Sequence, residues 1–86
     1  MDKYINEHTV LRYSKITGRY FNVFETVKIL NIAQATYYIE NGSFPLDVYA
    51  SKDLKTERPV LVFVFAREDT KELYDSWCAR VGQTKD

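Results

Sequence analysis

The chain has 86 residues, of which 45% are hydrophobic and 15% aromatic, and its 12 basic and 12 acidic residues leave no formal net charge. This length predicts one domain spanning residues 1–86, and the composition excludes an intrinsically disordered chain. Because the charges balance, the chain lacks the overall positive charge on which nonspecific nucleic-acid binding depends. Its single cysteine excludes an internal disulfide and favours a reducing compartment, which indicates a cytoplasmic protein.

The first segment, residues 1–8, is polar, and we expect it to form a flexible arm. It contains no apolar segment of the kind that marks a secretory signal. The longest apolar run of the chain is also far shorter than the ~20 residues of a membrane-spanning helix, so no membrane partner is expected.

Two stretches of strand-like sequence flank the tripeptide Ile16-Thr17-Gly18. This spacing predicts a β-hairpin with a three-residue loop, in which Gly18 adopts the left-handed conformation. In that register Tyr13 lies opposite Phe21 on an apolar face, and the other face of the hairpin is polar.

The next segment carries the signals of a helix. Asn31 is a typical N-cap residue, and Gln34 three residues later completes the pattern of a capping box. The pattern predicts a helix from Ile32 to about Asn41, ended by Gly42. Apolar side chains three and four residues apart give this helix one face for packing.

The longest apolar run, Pro59–Ala66, predicts a central strand because both of its faces are apolar. An alternating strand at residues 46–51 precedes it and is expected to pair with it as a hairpin. The valines fall on one face, which we expect to meet the helices because small side chains allow a close approach. The opposite face holds Leu61, Phe63 and Phe65.

A final helix is predicted to begin at Asp69, with Glu72 as its capping-box partner. Gly82 is expected to end this helix, which leaves residues 83–86 as a flexible tail. Its apolar stripe consists of Leu73, Trp77 and Val81.

These elements predict an α+β fold in the order β-β-α-β-β-α. We expect two layers, in which one mixed or antiparallel sheet carries both helices on one face. The valine face of the central strand would then meet the last helix, and the leucine and phenylalanine side chains would point away from it.

Four features of the sequence support a family resemblance. They are Phe24-x-Thr26 before a helix, Ala33 within that helix, Gly42 after it, and Phe63-x-Phe65 before a final helix. In these features the chain resembles small uncharacterised domains carried by phages and conjugative elements of Gram-positive bacteria. The resemblance covers about two thirds of the chain. It implies a bacterial, mobile-element accessory protein with no established activity and no assigned functional residues.

The sequence shows no catalytic constellation. His8 is the only histidine, and no neighbour in the predicted arm would orient it as a base. Cys78 falls in the middle of a helix beside the apolar stripe, where a thiol packs as a small hydrophobic group. Zinc needs more cysteine and histidine ligands than the chain contains. We therefore expect a non-enzymatic protein without cofactor or metal.

Acidic residues cluster around the start of the last helix. Helix capping and a solvated face explain this cluster better than a cation site or a carboxylate pair does. The cluster consists of Glu68, Asp69, Glu72 and Asp75.

Single-stranded nucleic acid is one predicted class of partner. The hairpin segment carries basic residues and no acidic ones, and aromatic residues lie between them. Basic groups beside stacking aromatic rings are the elements of single-strand binding. The alternative is that the aromatics form core and the charges keep a sheet edge soluble. The candidate contacts are Arg12, Lys15, Arg19 and Tyr20.

A protein is the other predicted class of partner, because seven tyrosines are many for this length and tyrosine is enriched at interfaces. The candidate interface is the face of Leu61, Phe63 and Phe65, which the predicted helices leave uncovered. Either the N-terminal hairpin or a second copy of the chain would cover it. We predict an accessory protein that binds an unknown protein or forms a homodimer, with nucleic-acid binding as the alternative.

Overall fold

The structure, a computed structural model, describes residues 3–6 and 9–84. Within these residues no helix combines the length and the apolar composition needed to cross a membrane. The helices are α1 (Ile32–Glu40) and α2 (Arg67–Thr84), and a 3₁₀ turn covers Val23–Glu25. The strands are β1 (Lys3–Asn6), β2 (Thr9–Tyr13), β3 (Tyr20–Asn22), β4 (Thr26–Ile29), β5 (Asp47–Lys52) and β6 (Pro59–Ala66).

The predicted α+β class is confirmed, and the strands are divided between two antiparallel sheets. The N-terminal sheet has the order β1-β2-β3, and the C-terminal sheet has the order β4-β6-β5. Strand β1 lies within the segment predicted as a flexible arm, and the flexibility of that segment stays a prediction. The rest of the predicted arm, residues 1, 2, 7 and 8, lies outside the described residues.

Strand β6 is the central strand of the C-terminal sheet, as its apolar sequence predicts. Phe65 is fully buried, and its ring meets the ring of Tyr38 edge-on with 5.1 Å between the centroids. Ala35 of α1 is 1% exposed and belongs to the same cluster. Leu73 of α2 packs against this cluster, so both helices lie on one face of the sheet.

The structure reverses the predicted orientation of β6. Phe63 and Phe65 face the helices. The sequence had predicted that both residues, together with Leu61, lie on the face that the helices leave uncovered. The expectation is wrong because it assumes that a close approach of helix and sheet needs small side chains on the strand. In the structure the small side chain at this contact is Ala35, which belongs to the helix. The valines lie on the opposite face, where Val62 and Val64 are nearly fully buried.

The hairpin loop of the N-terminal sheet contacts the valine face of the C-terminal sheet at Asp47. Asp47 is on that face because it is paired with Val64, and directly opposed residues point to the same side. Its Oδ1 accepts a 2.8 Å hydrogen bond from Oγ of the fully buried Ser14. Nearby, the Thr17 hydroxyl donates to the Leu46 carbonyl oxygen at 3.3 Å. The two sheets are therefore joined by side chains of the hairpin loop and of β5.

The hairpin register differs by one residue from the predicted one. Tyr13 pairs with Tyr20, and Arg12 pairs with Phe21. The loop has four residues because the Ser14 amide donates to the Arg19 carbonyl and the Ser14 carbonyl accepts from the Gly18 amide. Gly18 has the expected left-handed conformation, with φ of 71°. The register differs from the predicted one because Ser14, expected on a polar face, is buried, and its Oγ accepts a hydrogen bond from the Thr17 amide and fixes the turn.

The predicted ends of α1 are confirmed. Asn31 is the N-cap, and its side chain accepts a 3.1 Å hydrogen bond from the Gln34 amide. The side chain of Gln34 does not complete the capping box but donates to the Tyr38 hydroxyl at 2.8 Å. At the other end Gly42 has a φ of 93°, and the Ser43 amide donates back to the Tyr38 carbonyl. This is the Schellman arrangement that ends many helices at glycine.

Helix α2 is longer at both ends than predicted. It begins at Arg67, directly after β6, and continues through Gly82 to Thr84. Arg67 anchors its start because the guanidinium donates to the carbonyl oxygens of Phe24 at 3.0 Å and Thr26 at 3.2 Å. Residues 83 and 84 are therefore helical rather than tail, and residues 85 and 86 lie outside the described residues.

Candidate functional site

An open groove runs between β4 and the two helices, with a volume of about 500 Å³. We call it the β4 groove. Its floor is apolar because Val27 and Ile29 of β4 point towards the helices. Tyr38 of α1 forms one wall, and Thr70 and Tyr74 of α2 form the other. Its charged lining residues are Arg67, Lys71 and Asp75.

Strand β4 also forms a sheet edge. It pairs with β6 on one side, and in the described part of the chain no strand pairs with its other side. An unpaired edge offers a row of backbone donors and acceptors to another extended chain. Large apolar side chains next to this edge are exposed by about half of their surface. They are Phe24 at 49%, Leu30 at 51% and Ile32 at 56%.

Tyr74 gives the rim of the groove a hydrogen-bonding group. Its side chain is 54% exposed, and it interacts with Cys78 one helical turn further along α2. The Cys78 side chain raises the pKa of the Tyr74 phenol above its ordinary value of 10.0, first through a hydrogen bond and second through an electrostatic interaction. A tyrosine phenol is neutral at physiological pH even without this shift, so Tyr74 can donate a hydrogen bond at the rim.

The predicted interface of Leu61, Phe63 and Phe65 is not a free surface. Phe65 is completely buried under α1, and Phe63 packs against the same cluster. Only Leu61, which is 47% exposed, remains accessible. The prediction failed because both faces of β6 are apolar, and the sequence does not determine which of the two faces packs against the helices.

The predicted nucleic-acid contacts lie on the N-terminal hairpin, and all four side chains are exposed. The register separates them, because Arg12 pairs with Phe21 on one face while Tyr20 pairs with Tyr13 on the other. The rings of Tyr13 and Tyr20 meet edge-on at 5.2 Å. Arg19 and Tyr20 are brought together in a cleft of about 460 Å³ beside Pro45. The structure thus unites part of the predicted set.

The two helices also meet in an aromatic contact. Trp77 of α2 lies 5.7 Å from the ring of Tyr37, and the Arg80 guanidinium sits 5.3 Å from the same ring. Cys78, predicted to be buried, is exposed. In the part of the chain whose side chains are described, no three histidine, cysteine or acidic residues are placed to share a metal ion.

Sequence reasoning missed the β4 groove. Its residues come from three elements, and only the fold brings Val27, Gln34 and Tyr74 together. One signal of an apolar surface was present in the sequence. Leu30 and Ile32 lie on either side of the helix cap Asn31, and two large apolar residues are unusual in so short a connection. Taken alone, that signal indicates packing as readily as a binding surface.

Comparison with known proteins gives no match. No family model, no curated protein and no solved structure matches this chain. The resemblance to domains of phages and conjugative elements therefore stays a prediction, and the chemistry of the surfaces carries the functional argument.

Proposed function

We propose that this protein is a non-enzymatic module that binds an extended segment of a partner protein along β4. The observation that carries the proposal is the coincidence of an unpaired sheet edge with an apolar groove beside it. Peptides that add a strand to a sheet gain affinity from backbone hydrogen bonds and specificity from pockets for alternate side chains. Val27 and Ile29 supply such an apolar surface on the groove side of β4.

The charges around β4 favour a partner segment that combines apolar with acidic residues. Lys28 is exposed on the strand, while Arg67 and Lys71 line the groove together with one acid, Asp75. A second copy of the chain would present another Lys28 to this edge, and like charges opposed across a strand pair are destabilising. A different protein with an acidic extended segment is therefore the better occupant.

Two features of the sequence support the setting that we propose for this function. We place the protein in the cytoplasm on the strength of its single, free cysteine. The resemblance described above supports an accessory role in a bacterial phage or conjugative element.

Two synthetic peptides test the proposal, one of alternating valine and glutamate residues and one of alternating valine and lysine residues. We expect the glutamate peptide to bind and to protect β4 amides from hydrogen exchange, because strand addition pairs the free edge. The Lys28→Glu variant should weaken that binding about fivefold and strengthen binding of the lysine peptide, as expected for one exposed charge pair.

The matched control is Lys52→Glu, which reverses an exposed lysine on the other edge strand of the same sheet. It should leave both affinities unchanged. Equal binding of the two peptides, or a larger effect of Lys52→Glu than of Lys28→Glu, would contradict the proposal. So would a concentration-dependent rise in solution mass, measured by light scattering, that Lys28→Glu abolishes.

Single-stranded nucleic acid is the second candidate, supported by the cleft in which Arg19 lies beside Tyr20. We expect binding of a labelled oligonucleotide at low salt to disappear when the basic residues of the hairpin are replaced, because phosphate contacts dominate such affinity. Tyr20→Ala should weaken binding by removing a stacking surface. Absence of binding by the wild-type protein at low salt would end this candidate. The basic residues to replace with alanine are Arg12, Lys15 and Arg19.

A further inference from the structure

Strand β6 determines which backbone groups of β4 remain available to a partner. The backbone of Val64 faces β5, because its carbonyl oxygen accepts a 2.6 Å hydrogen bond from the Leu46 amide. In an antiparallel sheet, successive residues of a strand direct their backbone groups to opposite neighbours. Phe63 and Phe65, on either side of Val64, therefore direct their backbone groups to β4.

The same alternation divides the residues of β4 into two sets. Val27 and Ile29 are paired with these two phenylalanines, so their backbone groups are used within the sheet. The backbone groups of Thr26 and Lys28 point the other way, to the free edge. An added strand can form hydrogen bonds only with this second set.

The free edge is closed at Thr26. The Thr26 amide donates to the Val23 carbonyl oxygen of the 3₁₀ turn, and the Thr26 carbonyl oxygen accepts a 3.2 Å hydrogen bond from the Arg67 guanidinium. The guanidinium therefore takes the place from which a neighbouring strand would donate to Thr26. A strand added to β4 can pair with Lys28, but its backbone has to end or turn away at Arg67.

Positive charge lines the groove at this closed end. Arg67 and Lys71 lie one turn apart on α2, are both exposed and both line the β4 groove. Arg67 gives one N–H of each terminal nitrogen to a backbone carbonyl, and a guanidinium carries further donors. The acidic residue of the groove, Asp75, lies about two turns further along α2. Glu25 and Glu68 border Arg67 outside the groove.

The direction of an added strand decides which of its ends meets Arg67. Strand β4 runs from Thr26 to Ile29, so an antiparallel strand begins opposite Ile29 and ends beside Arg67. If the partner chain terminates there, it presents a carboxylate, the group that a guanidinium binds in a charge-assisted, paired geometry. A parallel strand that starts there would instead present its terminal ammonium group, and like charges would meet.

We propose that β4 binds the C-terminal end of a partner protein and that Arg67 and Lys71 hold its terminal carboxylate. This inference rests on the function proposed above and specifies the partner segment and its direction. Directly opposed residues of a strand pair point to the same side. The last residue, opposite Val27, and the one opposite Ile29 therefore enter the β4 groove and are apolar. The residue between them lies opposite Lys28 and is acidic.

Three acetylated peptides of alternating glutamate and valine residues, each ending in Val-Glu-Val, test the inference. The first has a free C-terminal carboxylate, the second a C-terminal amide, and the third continues with two glycines. Calorimetric titration should show the first peptide to bind about tenfold more tightly than either of the others. Hydrogen exchange should slow at the Lys28 amide and stay unchanged at the Val27 amide, which already bonds to β6.

Two variants remove the proposed carboxylate contacts, and a third serves as the matched control. Arg67→Gln should reduce the preference for the free carboxylate over the amide to less than about twofold, and Lys71→Gln should reduce it about threefold. Arg58→Gln removes the same charge from an exposed residue before the other end of β6 and should leave the preference unchanged. Thermal unfolding reports whether each variant folds. If Arg67→Gln does not, Lys71→Gln and the three peptides decide the question.

The outcomes separate this inference from the function on which it rests. If the three peptides bind equally and protect the Lys28 amide, the carboxylate site is overturned and strand addition at β4 stands. Tighter binding of the glycine-extended peptide also overturns it, because the partner chain then continues past Arg67. An equal loss of preference in Arg58→Gln reduces the effect to general attraction between charges. If none of the peptides binds, the inference and the proposed function both fail.

Discussion

Replacing Phe65 with alanine is expected to lower the free energy of unfolding by about 3–5 kcal/mol. The ring is fully buried between α1 and the sheet, and it meets Tyr38 edge-on. Its removal takes away the transfer free energy of the side chain and leaves a cavity that rigid neighbours fill only in part. A small domain has a total stability of about 5–15 kcal/mol, so this loss is a large fraction of it. Urea denaturation followed by tryptophan fluorescence measures the change.

The matched control is Leu61→Ala on the same face of the same strand. Leu61 is 47% exposed, so its truncation removes much less buried surface and should cost about 1 kcal/mol or less. If Leu61→Ala proves as costly as Phe65→Ala, the helices must cover the whole of this face, contrary to the structure. A small effect of Phe65→Ala on unfolding, accompanied by loss of an oligomer, would restore the predicted interface.

Replacing Ser14 with alanine is expected to lower the free energy of unfolding by about 2 kcal/mol. Ser14 is completely buried, and its Oγ both donates to the Asp47 carboxylate and accepts from the Thr17 amide. Hydrogen bonds to charged groups contribute more than neutral ones, and the lost donor would leave Asp47 half-buried with one partner fewer. The measurement is again the free energy of unfolding from urea denaturation.

A double-mutant cycle assigns this loss to the contact between the two sheets. Ser14→Ala, Asp47→Ala and the double variant should give a coupling energy of about 1–2 kcal/mol, because the two side chains share one hydrogen bond. Thr17→Val is the control, since its exposed hydrogen bond to Leu46 is long at 3.3 Å and should cost about 0.5 kcal/mol or less. Additive effects of Ser14→Ala and Asp47→Ala would show that the sheets do not meet there.

The candidate binding surface was much less accessible to sequence reasoning than the fold was. The β4 groove joins side chains that are distant in sequence, so no local pattern announces it. The acidic cluster was visible in the sequence, and it was assigned to helix capping. Of the predicted nucleic-acid contacts, the hairpin register places Arg12 on the face opposite to Tyr20.

The sequence by itself determined several of the local elements, because their signals act over a few residues, but it did not reveal the short strands β1 and β4. Both termini of α1 follow from Asn31 and Gly42, the left-handed turn follows from Gly18, and the central position of β6 follows from two apolar faces. Only the tertiary structure decided which face of β6 meets the helices. The valine face and the phenylalanine face of β6 are both apolar, so the hydrophobic effect favours burying either of them. The orientation of the strand depends on how Ala35 and Tyr38 of α1 pack against Phe65.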